Sequence, residues 1–107
     1  MAKKVKILIV EDEQMLNEAY EMILTRAGYS VVTAHDGKEA LDKTSTFEPD
    51  VILLDLRMPV MDGLEFLKQY QVAEKHSDVS VVVFSNLDTQ SDIDEAYKLG
   101  AKKYFLK

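Results

Sequence analysis

The sequence from Val51 to Gly63 reads VILLDLRMPVMDG, an apolar run followed by a polar, proline- and glycine-containing segment. The apolar run 51–54 has the length and composition of a buried strand. Asp55 stands directly after it. Open sheets of parallel strands bind their ligands at the edge formed by the carboxyl ends of the strands. Asp55 is therefore expected at the chemically active edge of such a sheet.

Other polar residues stand in the same position, directly after an apolar run. They are Glu11 and Asp12, Ser85, and Lys107. Carboxylate oxygens are ligands that Mg²⁺ prefers, while Lys and Ser suit phosphoryl oxygens. Clustered carboxylates repel one another unless a cation or a proton relieves them. The sequence therefore predicts a site for a divalent cation and a phosphoryl group.

Short apolar runs alternate with segments of helical period, a rhythm typical of βαβ units and a parallel sheet. Strands are predicted at about 6–10, 30–34, 51–54, 81–84 and 103–106. Four helices lie between them, the fourth at about 89–99. Their predicted inward residues are Leu16, Tyr20, Ile23 and Ala27; Ala40 and Leu41; Leu64, Leu67 and Tyr70; and Ile93, Ala96 and Tyr97.

Cap residues mark several of the predicted helix ends. Asp36 and Asp62 are expected N-caps, and Glu39, three residues after Asp36, indicates a capping box. Gly28 and Gly100 stand where the first and fourth helices should end.

The composition excludes several classes of protein. A chain of 107 residues with 47% hydrophobic residues is expected to form one domain with a single core. No run reaches the ~18 apolar residues of a membrane span, and no cysteine is present for disulfides or thiolate metal sites. The net charge of −6 disfavours binding to nucleic acid. We expect a cytoplasmic protein that binds neither membranes nor nucleic acid.

Four parts of the sequence together resemble the receiver domain of two-component response regulators, the chemotaxis-regulator-like group. They are ILIVEDE at 7–13, DLRMPVMDG at 55–63, Ser85, and GAKKYFLK at 100–107. The resemblance extends over essentially all of residues 1–107. It implies a flavodoxin-like α/β fold, a doubly wound parallel five-stranded sheet of strand order 2-1-3-4-5.

The resemblance also implies the chemistry of the site. Asp55 would be the phosphoacceptor, attacking the phosphohistidine of a histidine kinase or phosphotransfer protein. Asp12 and Asp55 would ligate Mg²⁺ directly, Glu11 through water, and Arg57 through its backbone carbonyl. The domain is then a regulatory switch and not an enzyme.

Three residues near the carboxyl ends of the last two strands complete the implied switch. Lys107 would pair with a phosphoryl oxygen, and Ser85 would donate a hydrogen bond to it. Tyr104 matches the aromatic residue that turns inward when this hydroxyl is drawn to the phosphoryl group.

The helix that follows the last strand in the family is not present in the 107 residues. Its place on the sheet would be an apolar face, and such faces mark interfaces. We therefore expect a homodimer that covers this face, through Ile7 or Leu8 and Phe105 or Leu106, with the first helix alongside.

Three other functions are alternatives to a receiver domain. Phosphatases of the haloacid dehalogenase type need a second acid two residues after the nucleophile, where this chain has Arg57. Flavin or dinucleotide binding needs a phosphate-binding loop after the first strand, and the acidic segment 11–13 would repel phosphate. The third alternative is a phosphorylation-independent, receiver-like interaction scaffold.

Overall fold

The computed structural model describes residues 4–86 and 89–106. Five parallel strands form one sheet in the order β2-β1-β3-β4-β5. The strands are β1 (Lys6–Val10), β2 (Ser30–Ala34), β3 (Val51–Leu54), β4 (Ser80–Ser85) and β5 (Lys103–Leu106). The helices are α1 (Gln14–Arg26), α2 (Gly37–Phe47), α3 (Gly63–Tyr70), α4 (Val72–Lys75) and α5 (Gln90–Lys98). The predicted fold class and strand order are confirmed, and no helix follows β5 in the described residues.

One face of the sheet is fully covered. Side chains alternate between the two faces of a strand, and on this face Ile52, Leu54, Val81 and Val83 have no exposed surface. Helices α2 to α5 supply the other half of this core. Their buried apolar residues are Ala40, Phe66, Leu67, Tyr70, Val72 and Ala96.

The other face is only partly covered. Tyr20 of α1 packs against Phe84, with ring centroids 5.8 Å apart, and Phe84 contacts Phe105 at the same distance. Phe105 is nevertheless 49% exposed. Beside these rings lies an apolar groove of about 240 Å³, lined by Ile9, Tyr20, Ile23, Leu24, Leu53 and Phe84 among others. We call this surface the open face.

Several predicted inward positions are wrong. Ile23 is 62% exposed and Ala27 is also exposed, because no described element packs over this side of α1. Tyr97 is 46% exposed, so α5 turns mainly Ala96 to the core. Of the residues expected at a dimer interface, Ile7 and Leu8 are buried within the sheet, whereas Phe105 and Leu106 are exposed.

The helix ends follow the predicted caps with one difference. Asp36 and Asp62 accept hydrogen bonds from the N–H groups of Glu39 and Glu65, respectively. The Glu39 carboxylate, however, accepts from the N–H of His35 at 2.6 Å, so the expected reciprocal bond to Asp36 is displaced by one residue. Burial raises the pKa of Glu39, but this bond and Lys43 outweigh burial and lower the pKa below its ordinary value.

Candidate metal and phosphoryl site

Three carboxylates converge at the carboxyl edge of the sheet. β1 and β3 are neighbours paired through Val10 and Leu54, so the residues that follow them lie side by side. One carboxylate oxygen from each of Glu11, Asp12 and Asp55 lies within 4.8 Å of the others. Glu11 and Asp55 are buried and Asp12 is exposed. The cluster is therefore open to solvent on the Asp12 side and offers the hard oxygen ligands that suit Mg²⁺.

Hydrogen bonds fix the orientation of the Asp55 carboxylate. The hydroxyl of Ser85, which is fully buried, donates to Asp55 Oδ1 at 3.0 Å. The backbone N–H of Arg57 donates to the same oxygen at 3.0 Å. The structure thus brings Ser85 to Asp55, although the two residues are 30 positions apart in sequence.

Gly63 allows the loop after β3 to return close to the site. Its N–H donates to the carbonyl of Leu56 at 3.0 Å. A Cβ at this position would lie 2.5 Å from the carbonyl oxygen of Asp55, closer than real Cβ atoms approach backbone. Asp62, directly before it, caps α3. The Asp-Gly pair therefore lets α3 begin against the carboxyl end of β3.

Asn17 supports the acidic cluster and was missed by the sequence analysis. Its side chain is 2% exposed, and its amide donates to the carbonyls of Glu11 at 3.0 Å and Ala34 at 3.2 Å. These bonds hold the backbone from which Glu11 and Asp12 project. The available signal was a polar residue on the α1 stripe that also carries Tyr20 and Leu24, three and seven positions later.

The remaining predicted residues are distributed as follows. Tyr104 pairs in register with Val83 and packs half-buried against the core. Because Ser85 is two residues beyond Val83, Ser85 and Tyr104 lie on the same side of the sheet. Lys107 lies outside the described residues.

The sequence matches the response regulator receiver domain family over residues 7–107. The chain belongs to this family. Over 102 residues this receiver domain is 37% identical to the alkaline phosphatase synthesis transcriptional regulatory protein PhoP of Bacillus subtilis (strain 168), a match covering 95% of the chain and 42% of that protein. The response regulator MprA of Mycobacterium bovis (strain BCG / Pasteur 1173P2) is 37% identical over 103 residues, with 96% and 44% covered. The chain spans about two fifths of the length of these curated relatives.

Solved structures give the same assignment. The chemotaxis protein CheY4 of Vibrio cholerae superposes with a TM-score of 0.89 at 31% identity, over 98% of this chain and 88% of that chain. Receiver domains are regulatory domains of two-component systems that interact with histidine kinases or phosphotransfer proteins and generally bind Mg²⁺ at an acidic pocket. Among the described residues, no helix is both long and apolar enough to cross a membrane.

Proposed function

We propose that Asp55 accepts a phosphoryl group from a histidine kinase or phosphotransfer protein and that the receiver domain thereby acts as a signalling switch. The convergence of Glu11, Asp12 and Asp55 carries this proposal. These residues, with the backbone carbonyl of Arg57, would hold Mg²⁺. The ion would supply charge neutralisation for the phosphoryl oxygens.

The residues of the chain divide the work of the transfer. A carboxylate oxygen of Asp55 forms the new bond to phosphorus, while the bond from phosphorus to the histidine nitrogen of the partner breaks and the imidazole leaves. Such transfers need mainly positioning and charge stabilisation. Ser85 and the N–H of Arg57 supply positioning through their bonds to Asp55 Oδ1. Lys107 would add a positive charge beside the phosphoryl oxygens.

Ser85 and Tyr104 would report phosphorylation to the rest of the domain. In the described state the Ser85 hydroxyl is bonded to Asp55. A phosphoryl group on Asp55 offers stronger acceptor oxygens, and the hydroxyl would turn to one of them. The space that it leaves would be filled by the half-buried Tyr104 ring, a two-state packing change suited to a switch.

Phosphorylation by a small acyl-phosphate donor with Mg²⁺ tests this proposal. Intact-mass measurement should show one added phosphoryl group in the parent and none in Asp55→Asn. Asp62→Asn is the matched control, because it removes a carboxylate from the same loop while asparagine still caps α3. Full phosphorylation of Asp55→Asn would show that the acceptor is another residue. A parent that takes up no phosphoryl group would leave the phosphorylation-independent scaffold as the better interpretation.

We also propose that the domain is cytoplasmic, as response regulators typically are. A separate proposal is that the 107-residue chain forms a homodimer through the open face. The observation in support is the exposed apolar surface of Ile23 and Phe105. Leu106 is also exposed, but it pairs with Ser85 and so lies on the opposite side of the sheet from Phe105. Sedimentation equilibrium over a wide concentration range should show a monomer–dimer equilibrium that Phe105→Glu weakens. A parent that stays monomeric throughout would contradict the pairing.

A further inference from the structure

Arg57 connects the phosphoacceptor to a distant helix. Its backbone N–H donates to Asp55 Oδ1 at 3.0 Å. Its guanidinium forms an ion pair and hydrogen bond with Asp92 in the first turn of α5, 35 positions further along the chain. One residue therefore contacts the site through its backbone and α5 through its side chain.

Asp92 also holds the start of α5. Thr89 and Asp92 form a capping box, in which the Thr89 hydroxyl accepts from the N–H of Asp92 at 3.1 Å. In return, Asp92 Oδ2 accepts from the N–H of Thr89 at 3.4 Å. This is the same oxygen that binds Arg57. A change at Arg57 is thus transmitted to the atom that caps the helix.

We propose that the Arg57–Asp92 pair is a latch that phosphorylation of Asp55 opens. The inference rests on the proposed phosphorylation of Asp55. A phosphoryl group there would carry up to about two negative charges and offer oxygens that the planar guanidinium can bind in pairs. Arg57 would then exchange Asp92 for the phosphoryl oxygens, and the first turn of α5 would lose one of its anchors.

Exposure sets the size of the effect. The side chain of Arg57 is 59% exposed and that of Asp92 is 23% exposed. Ion pairs at such exposure are weakened by solvent and contribute modestly. The latch should therefore change the equilibrium between the unphosphorylated and phosphoryl-bound conformations by about two- to fivefold. An effect of this size adjusts the switch but does not create it.

Because coupling between two sites is reciprocal, the effect of the latch can be measured as a change in affinity at the phosphoryl site. If phosphorylation weakens the Arg57–Asp92 pair, then removing that pair from the Asp92 side must favour the phosphoryl-bound state. Asp92→Asn removes the ion pair between Asp92 and the guanidinium, while asparagine can still accept from the N–H of Thr89. Arg57→Gln removes the guanidinium but leaves the backbone N–H and carbonyl in place.

The experiment is a double-variant comparison with beryllium fluoride, which mimics a phosphoryl group on a carboxylate, at saturating Mg²⁺. Apparent affinity should be about two- to fivefold higher in Asp92→Asn than in the parent and lower in Arg57→Gln. The double variant should match Arg57→Gln, because neutralising Asp92 acts through the guanidinium. Asp94→Asn is the matched control, because it removes a carboxylate from α5 two residues after Asp92. Its affinity for beryllium fluoride should equal that of the parent.

Amide hydrogen exchange gives a second readout, measured first without and then with the bound analogue. The N–H groups of 91–93 should exchange faster in Arg57→Gln than in the parent, and beryllium fluoride should accelerate them in the parent but not in Arg57→Gln. If the parent binds the analogue but Asp92→Asn and Asp94→Asn bind it with equal affinity, the latch is contradicted and the proposed phosphoryl site is not. A parent that neither binds the analogue nor becomes phosphorylated on Asp55 would overturn the proposed function and the latch together.

Discussion

Val60 holds a β-branched side chain in left-handed backbone, with φ of 66°, and is 80% exposed. This conformation costs an L-residue roughly 1–2 kcal/mol, and more is expected for a β-branched one. The side chain contributes little burial to offset that cost. The strain lies in the loop between Asp55, the proposed phosphoacceptor, and α3, and strained backbone is often retained at functional sites.

Val60→Asn should therefore stabilise the domain, because asparagine tolerates left-handed backbone and no buried contact is lost. We expect the free energy of unfolding in urea to rise by about 1 kcal/mol. Val60→Ile retains the β-branch and serves as the control, with an unchanged midpoint. A variant Val60→Asn no more stable than the parent would show that the loop carries no releasable strain.

At the scale of the elements, the sequence located the strands better than the helix faces. β1 is buried over nearly its whole length, so its apolar run at 7–10 lies within one residue of its bounds. The stripe on α1 was recognisable from its period, but the period could not show that Ile23 faces a groove. α4 has four residues, too few to produce a periodic signal.

The candidate site divides in the same way. Glu11, Asp12 and Asp55 could be predicted because each follows an apolar run and parallel strands end at one edge. The Arg57–Asp92 pair joins the loop after β3 to the first turn of α5, 35 positions further along the chain. No sequence pattern indicates this contact, so it is recognised only in the folded structure.

Asn17 joins α1 to the carboxyl ends of β1 and β2, and its removal should loosen that junction. Asn17→Ala would leave the buried carbonyls of Glu11 and Ala34 with fewer donors. An unsatisfied buried polar group costs about 1–3 kcal/mol, so urea unfolding should show a loss of that order. Met15→Ala on the same helix is the control, since Met15 is 82% exposed and its loss should change stability by less than about 0.5 kcal/mol. A loss no larger than that of the control would contradict the anchoring role.

At the scale of the whole molecule, the proposed Mg²⁺ site in the acidic cluster predicts that stability depends on Mg²⁺. Three carboxylates within 4.8 Å repel one another in the metal-free protein. A cation that binds only the folded state offsets this repulsion and stabilises by mass action, by about 2.7 kcal/mol at 100 times its dissociation constant. Because the ligands must be deprotonated, the stabilisation should decline on acidification.

Asp12→Asn should act in opposite directions on the two forms of the protein. Without metal it removes one of the three clustered charges, so the melting temperature should rise above that of the parent. With saturating Mg²⁺ the parent should melt several degrees higher than without it. The variant lacks the exposed Asp12 carboxylate, a proposed ligand, so its Mg²⁺-dependent shift in melting temperature should be much smaller. Thermal melts of both proteins, with and without Mg²⁺, measure the melting temperatures and their Mg²⁺-dependent shifts. Asp42→Asn is an exposed control outside the cluster. Equal Mg²⁺ shifts in the parent and in Asp12→Asn would show that the ion is not held by this cluster, because a ligand that binds the metal cannot be neutralised without changing its affinity.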